Sequence, residues 1–141
     1  MKSCTFFGHR DTPSEIAPLL KSAIIDLVEN EGVTMFYVGC EGSFDRMAHR
    51  LLYELKQTYP HINYARVLAY IPKKSYEDLS DTIYPECVAI SHPRYAIAKR
   101  NQYMIDKSDF VIAYVKHSFG GAYRYYNLAK KKGKILINLA K

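Results

Sequence analysis

The chain has 141 residues, 48% of them hydrophobic and 24% charged, with only 7 Gly and 6 Pro. These values fit one compact domain, residues 1–141, and exclude a disordered, collagen-like or low-complexity chain. The formal charge of +6 is uneven, because residues 1–98 hold 10 Lys/Arg against 12 Asp/Glu whereas residues 99–141 hold 10 against 2, a skew that points to an anionic partner for the C-terminal part.

Short β-branched or aromatic runs alternate with longer stretches of helical period. The first run, Ser3 to Phe7, predicts a strand. It is followed by Ser14 to Glu31, where Ile16, Leu19, Leu20, Ala23, Ile24, Leu27 and Val28 recur at steps of three and four, with Ser14 placed to cap the helix and Gly32 to end it. A second strand is predicted over Thr34 to Val38. The next helix begins near Ser43 and gathers Phe44, Met47, Ala48, Leu51, Leu52 and Leu55 on one side. Tyr64 to Tyr70 predicts a third strand. Ile71 to Pro93, interrupted by Pro72, Pro85 and Pro93, reads as a long excursion with a short helix around Glu77 to Thr82. Tyr95 to Lys107 predicts a helix, Asp109 to Val115 a fourth strand, Gly121 to Lys132 a helix with Ala122, Tyr125, Leu128 and Ala129 inward, and Lys134 to Leu139 a fifth strand. The expected class is α/β: a single Rossmann-like three-layer domain, with a mainly parallel five-stranded sheet and helices on both faces.

The most apolar run, Phe110 to Val115, is far shorter than the roughly 20 residues of a membrane span. Met1-Lys2-Ser3 leads straight into a strand-like run, so neither a secretion signal nor a membrane anchor is expected. Cys4, Cys40 and Cys87 are odd in number and lack metal-ligand spacing, which reads as reduced thiols in a cytoplasmic protein. His9, His49, His61, His92 and His117 show no H-x-H or H-x-x-x-H spacing, so no metal site is expected. Gly42-Ser43-Phe44 and Ser118 do not form a G-x-S-x-G elbow, and no loop is a Walker P-loop or a complete dinucleotide fingerprint.

An open parallel sheet binds ligands beyond the carboxyl ends of its strands. That rule selects Gly8-His9-Arg10-Asp11, Gly39-Cys40-Glu41-Gly42-Ser43, the long excursion, and His117-Ser118-Phe119-Gly120-Gly121. The glycine-bearing loops run into helices, whose free N–H groups suit a phosphate, although each glycine also fits a plain turn. Arg10 suits a planar anion, or it pairs with Asp11 or Asp45 as a structural bridge. Asp45, in a first helical turn, either caps that helix or accepts a ribose hydroxyl. Arg94, Lys99, Arg100 and Asn101 form the next polar group, with Arg100 and Asn101 placed to aim at the fourth loop. Of Tyr123, Tyr125 and Tyr126, at least one belongs to the core, and an exposed one could stack on a base. Lys130, Lys131 and Lys132 suit the negative end of a helix.

The order Phe7-Gly8-His9-Arg10, then Gly39-Cys40-Glu41-Gly42-Ser43-Phe44-Asp45, then Arg100-Asn101 with Met104 and Ser108-Asp109, then Gly120-Gly121 resembles the SLOG superfamily of Rossmann-like nucleotide-binding proteins. The Gly-His-Arg opening is most similar to a bacterial branch of small SLOG proteins, related to the lonely-guy phosphoribohydrolases and the DNA-processing protein of transformation. The resemblance implies a nucleotide or nucleotide-derived anion held by Gly8, His9, Arg10, Gly39, Gly42, Ser43, Asp45, Arg100, Asn101, Ser118, Gly120 and Gly121. It also implies a homo-oligomer, in which Phe44, Tyr53 or Tyr126 could meet a second copy. The phosphoribohydrolases carry an Arg that Arg100 matches and a Glu in whose place Asn127 stands. An amide cannot take that Glu's proton-accepting part. The leading expectation is therefore a binding module or sensor. An N-glycosidic hydrolase using Glu41, Asp45 or a partner's acid is the alternative, and nucleic-acid binding by the basic segment is a third reading.

Overall fold

Alternation along the strands sets the architecture. In the computed structural model, which describes residues 1–73 and 78–140, the strands are β1 (Lys2–Gly8), β2 (Val33–Val38), β3 (Asn63–Val67), β4 (Thr82–Ile83), β5 (Phe110–Tyr114) and β6 (Ile135–Asn138). They form one sheet in the order β4-β3-β2-β1-β5-β6, and every pairing is parallel. The helices are α1 (Ala17–Asn30), α2 (Gly42–Thr58), α3 (Glu86–Ala89), α4 (Ala96–Lys107) and α5 (Gly121–Lys131). Successive side chains of a strand point to opposite faces. Cys4, Phe6, Phe36, Val38, Phe110 and Ile112 accordingly pack under α1 and α2, through Leu20, Ile24, Leu27, Phe44, Ala48 and Leu52. Phe7, Tyr37, Val67, Val111 and Ala113 pack on the other face under α4 and α5, through Met104, Ile105, Tyr125 and Ala129. The three-layer Rossmann-like arrangement follows.

The structure departs from the sequence reading at several places. The sheet has six strands rather than five and is wholly parallel. The extra strand, β4, pairs only Thr82 with Arg66 and Ile83 with Val67, and two residues carry no readable alternation. β3 stops at Val67, short of the expected Tyr70, as the chain turns towards Pro72. Of the helix expected around Glu77 to Thr82, Glu77 lies outside the described residues; Asp78 to Asp81 are non-helical, and the short helix of this excursion is instead α3, which follows Pro85. Asp81 ties the excursion down, accepting from Arg66 Nη2 at 2.8 Å and meeting His49 Nε2 at 3.0 Å. Ser14 does not cap α1. It opens a 3-10 turn over Ser14–Ile16, and α1 starts at Ala17 without a side-chain cap. Gly32, with φ +72°, does end that helix. Among the described residues no helix is long and apolar enough to cross a membrane.

Candidate functional site

The chain runs from β1 outward through β2 and β3 to β4, then returns to the other side of β1 at β5. The loops after β1 and β5 therefore leave towards opposite faces, and a crevice opens between them. A cleft of about 600 Å³ occupies it, with Gly8, His9 and Arg10 on one side, Glu41, Asp45 and Arg100 on a second, and Phe119, Gly120 and Gly121 on a third. Ile97, Met104 and Tyr125 supply apolar wall. A larger groove of about 1180 Å³ lies between α4 and α5 and shares Phe119, Gly120, Gly121 and Tyr125 with the cleft.

Arg100 lines the cleft, yet its side chain is held by the protein itself. It is 3% exposed. Its Nε donates to Asn101 Oδ1 at 2.8 Å, Nη1 to the Val67 carbonyl at 3.2 Å, and Nη2 to Glu41 Oε2 at 2.6 Å. The guanidinium thus joins the end of β3 to the β2–α2 loop. Asp45 sits beside it and its Oδ2 accepts the Glu41 backbone N–H at 3.1 Å, so it does serve as a cap, reaching back to the residue before α2. Burial pushes the Asp45 carboxyl up to about 7, against the opposing pull of Arg100 and the Glu41 N–H. One carboxyl near neutrality and one ion-paired carboxylate therefore face the same cleft.

The first two glycine loops are filled by the protein itself. A β-carbon on Gly8 would lie 2.2 Å from Phe44 Cγ, one on Gly39 2.7 Å from Asp45 Oδ2, and one on Gly42 2.7 Å from Arg10 Cα. The Ser43 N–H donates to the Arg10 carbonyl and its Oγ to the Thr12 carbonyl, both at 2.8 Å. Hydrogen bonds within the chain therefore hold the start of α2, with Glu41 and Asp45 adding negative potential. α5 is different. Gly120 has φ +91°, and among the described residues no atom beyond the chain neighbours and the helix's own backbone lies within 4 Å of a β-carbon at Gly120 or Gly121, and the N-cap offers no side-chain hydrogen bond. Gly120, Gly121 and Ala122 line the cleft at this helix start, where unpaired N–H groups favour an anion. Ser118, exposed, belongs to the groove rather than the cleft.

His9 lines the cleft and ties the loop after β1 to the loop after β5. Its Nε2 accepts the backbone N–H groups of Lys116 at 2.8 Å and His117 at 3.3 Å. Two donors require Nε2 to be unprotonated, so the neutral ring carries its proton on Nδ1. Burial first, then the neighbouring His117, whose ring centroid is 4.7 Å away, lower its pKa from the ordinary 6.5. Arg10 is exposed at the cleft rim and makes no ion pair among the described residues, with Asp11 or Asp45 included. Tyr125 is the core tyrosine, stacked on Phe7 at 5.8 Å, while Tyr123 and Tyr126 are half-buried. Asn127 lines the groove and not the cleft, so Arg100 and Asn127 face different depressions. Phe44, 1% exposed, is core and cannot meet a second copy; Tyr53, 62% exposed, remains free to. Cys4 is buried, and Cys40 and Cys87 are exposed free thiols. Among the described residues no group of three His, Cys, Asp or Glu could hold a metal ion.

Ile97, Tyr95 and Gln102 were not legible as site residues. The local signal is the four-residue spacing that puts Ala98 and Gln102 on one face of α4, with Tyr95 just ahead of its first turn.

The fold is similar to that of DNA processing protein A (DprA) from Streptococcus pneumoniae, known from an X-ray structure. The TM-score is 0.70 at 15% identity, over 96% of this chain and 49% of that one. This chain thus spans about half the length of that protein, and the likeness is one of Rossmann-like fold. No protein-family model and no curated protein matches the sequence.

Proposed function

We propose that the protein is a binding module for a nucleotide or nucleotide-derived anion, of the small SLOG type that its Gly-His-Arg opening resembles. The observation that carries this reading is the uncapped start of α5 facing the cleft at the β1–β5 crevice, with glycines 120 and 121 leaving the space above it open. The phosphate sits over these glycines, and Arg10 supplies the mobile counter-charge. Glu41 and Asp45, oriented through Arg100, accept sugar hydroxyls, while Ile97, Met104 and Phe119 offer apolar surface to a base. Gly8, Gly39, Gly42 and Ser43 shape this site from behind, without touching the ligand.

Calorimetric titration with a panel of nucleoside monophosphates tests it. Arg10→Ala removes one charge-assisted contact, worth roughly 1.5 to 3 kcal/mol, or about ten- to a hundredfold in affinity. Folded protein that binds no member of the panel at millimolar concentration overturns the reading.

A second reading, cleavage of an N-glycosidic bond in the same ligand, draws support from Asp45. A carboxyl pushed up to about 7 inside the cleft is suited to proton transfer near neutrality. Chromatographic release of free base from bound nucleotide, lost in Asp45→Asn, supports it, and no release at saturation excludes it. Nucleic-acid binding, suggested by the basic C-terminal part and by the fold shared with a DNA processing protein, requires a gel shift that weakens steeply with salt.

A further inference from the structure

Three features lead from the cleft into its surroundings. The first is the groove between α4 and α5. It carries Arg94 and Tyr95 on one wall and Arg124 and Lys131 on the other, and among the described residues no Asp or Glu lines it. Among the described residues none of these three cations makes an ion pair. Arg94 lies over the Tyr95 ring, 5.6 Å from its centroid, and that ring is 54% exposed. Uncompensated cations beside an open aromatic face suit an anionic ligand that also carries a flat ring.

The second feature is the boundary between groove and cleft. The two depressions meet at Phe119, Gly120 and Gly121, so the glycine pair forms a saddle with Phe119, 69% exposed, standing beside it. The third is Gly121 itself. It does not adopt a positive φ, and among the described residues no atom beyond its chain neighbours and the helix's own backbone lies within 4 Å of the β-carbon it lacks. Neither backbone nor packing therefore calls for glycine there, in the first turn of a helix where Ala is the better former. A bare backbone at the crest is what a molecule lying across it needs.

We propose that the ligand is two-armed: two ring systems joined through phosphate, one in the cleft, the phosphates over Gly120 and Gly121, and the second ring in the groove against Tyr95, Arg94 and Lys131. This rests on the nucleotide-binding reading and names its ligand class as dinucleotide-sized. Mononucleotides fill only one of the two depressions.

The test titrates AMP, ADP and P1,P2-di(adenosine-5′) diphosphate, with the guanine, cytosine and uracil counterparts, into the unmodified protein and into Gly121→Ala, Tyr95→Ala and Lys131→Glu. The dinucleoside diphosphate of the preferred base binds about tenfold or more tighter than its monophosphate and its nucleoside diphosphate, the step that one stacked ring contributes. Tyr95→Ala and Lys131→Glu remove that advantage and leave monophosphate affinity within about twofold. Gly121→Ala removes it as well, with a thermal midpoint unchanged or raised. If monophosphates bind and the dinucleoside is no tighter, or if the groove variants weaken both ligands equally, the two-armed ligand is wrong while the binding module stands. A decanucleotide that outbinds the dinucleoside by tenfold overturns it in favour of a polymer. Failure of every probe overturns the binding module itself.

Discussion

Replacing Arg100 with Ala should unfold the protein more readily, in contrast to what a ligand-facing arginine on an open edge would do. The guanidinium is 3% exposed and makes three hydrogen bonds, to Asn101, the Val67 carbonyl and Glu41. Its loss leaves the Val67 carbonyl to the weak Cys40 thiol donor at 3.8 Å, opens a cavity, and takes the Arg100 cation away from Glu41 and Asp45. Breaking a buried pair by removing one partner costs about 3 to 5 kcal/mol. Glu41 is 30% exposed, so water takes over part of its solvation and the lower end, about 3 kcal/mol, is expected. With a urea slope of about 1 to 3 kcal/mol/M, the midpoint falls by about 1 M or more. Urea unfolding followed by circular dichroism measures it. Adding Glu41→Gln should recover part of the loss, because the stranded carboxylate is then gone. A midpoint within about 0.3 M of the unmodified protein would refute the view of Arg100 as the bolt between β3 and the β2–α2 loop.

Asp45 has its folded pKa raised from 3.8 to about 7, so between those values the folded state holds the extra proton and this group's stabilisation is lost as pH rises towards 7. Asp45→Asn, which keeps an oxygen for the Glu41 N–H, should flatten that slope and melt higher than the parent at pH 8; a lower melting temperature there would contradict it. His9 has the opposite sign: its folded pKa lies below 6.5, so its contribution is present above pH 6.5 and is lost as pH falls through the folded value. Protection factors of the Lys116 and His117 amides, taken against their intrinsic exchange rates, should fall on acidification, and protection that stays constant down to pH 4.5 would rule out the Nε2 acceptor role. Gly42→Ala meets Arg10 Cα at 2.7 Å with φ +83° and should cost about 2 kcal/mol or more, whereas Gly133→Ala, with φ +77° but open space, should cost about 1; equal losses would show that the close approach is relaxed. Should a second copy bury the exposed Tyr53, light scattering at micromolar protein reports a dimer that Tyr53→Lys dissociates, and a monomeric unmodified protein excludes it.

The periodicities of the sequence determined the layers. Phe6 and Phe7, adjacent in the chain, go to opposite faces because a strand alternates every residue, and the stripe from Phe44 to Leu55 repeats because a helix turns every 3.6. Such signals are local, set by backbone geometry over a few residues, and they placed four of the six strands within one residue of their true ends and β3 within three. They also put a glycine pair at the start of α5. What local geometry cannot carry is the partner of a side chain. Arg100 and Glu41 are 59 positions apart, and only the packing of α4 against the ends of β2 and β3 makes them a buried pair instead of two ligand-facing charges. The same holds for the glycines: Gly8, Gly39 and Gly42 look in sequence like Gly120 and Gly121. Tertiary contact fills the space beside the first three with Phe44, Asp45 and Arg10 and leaves the last two open, because α2 is pinned to the β1 loop by Ser43 whereas α5 begins at the crevice where the sheet reverses.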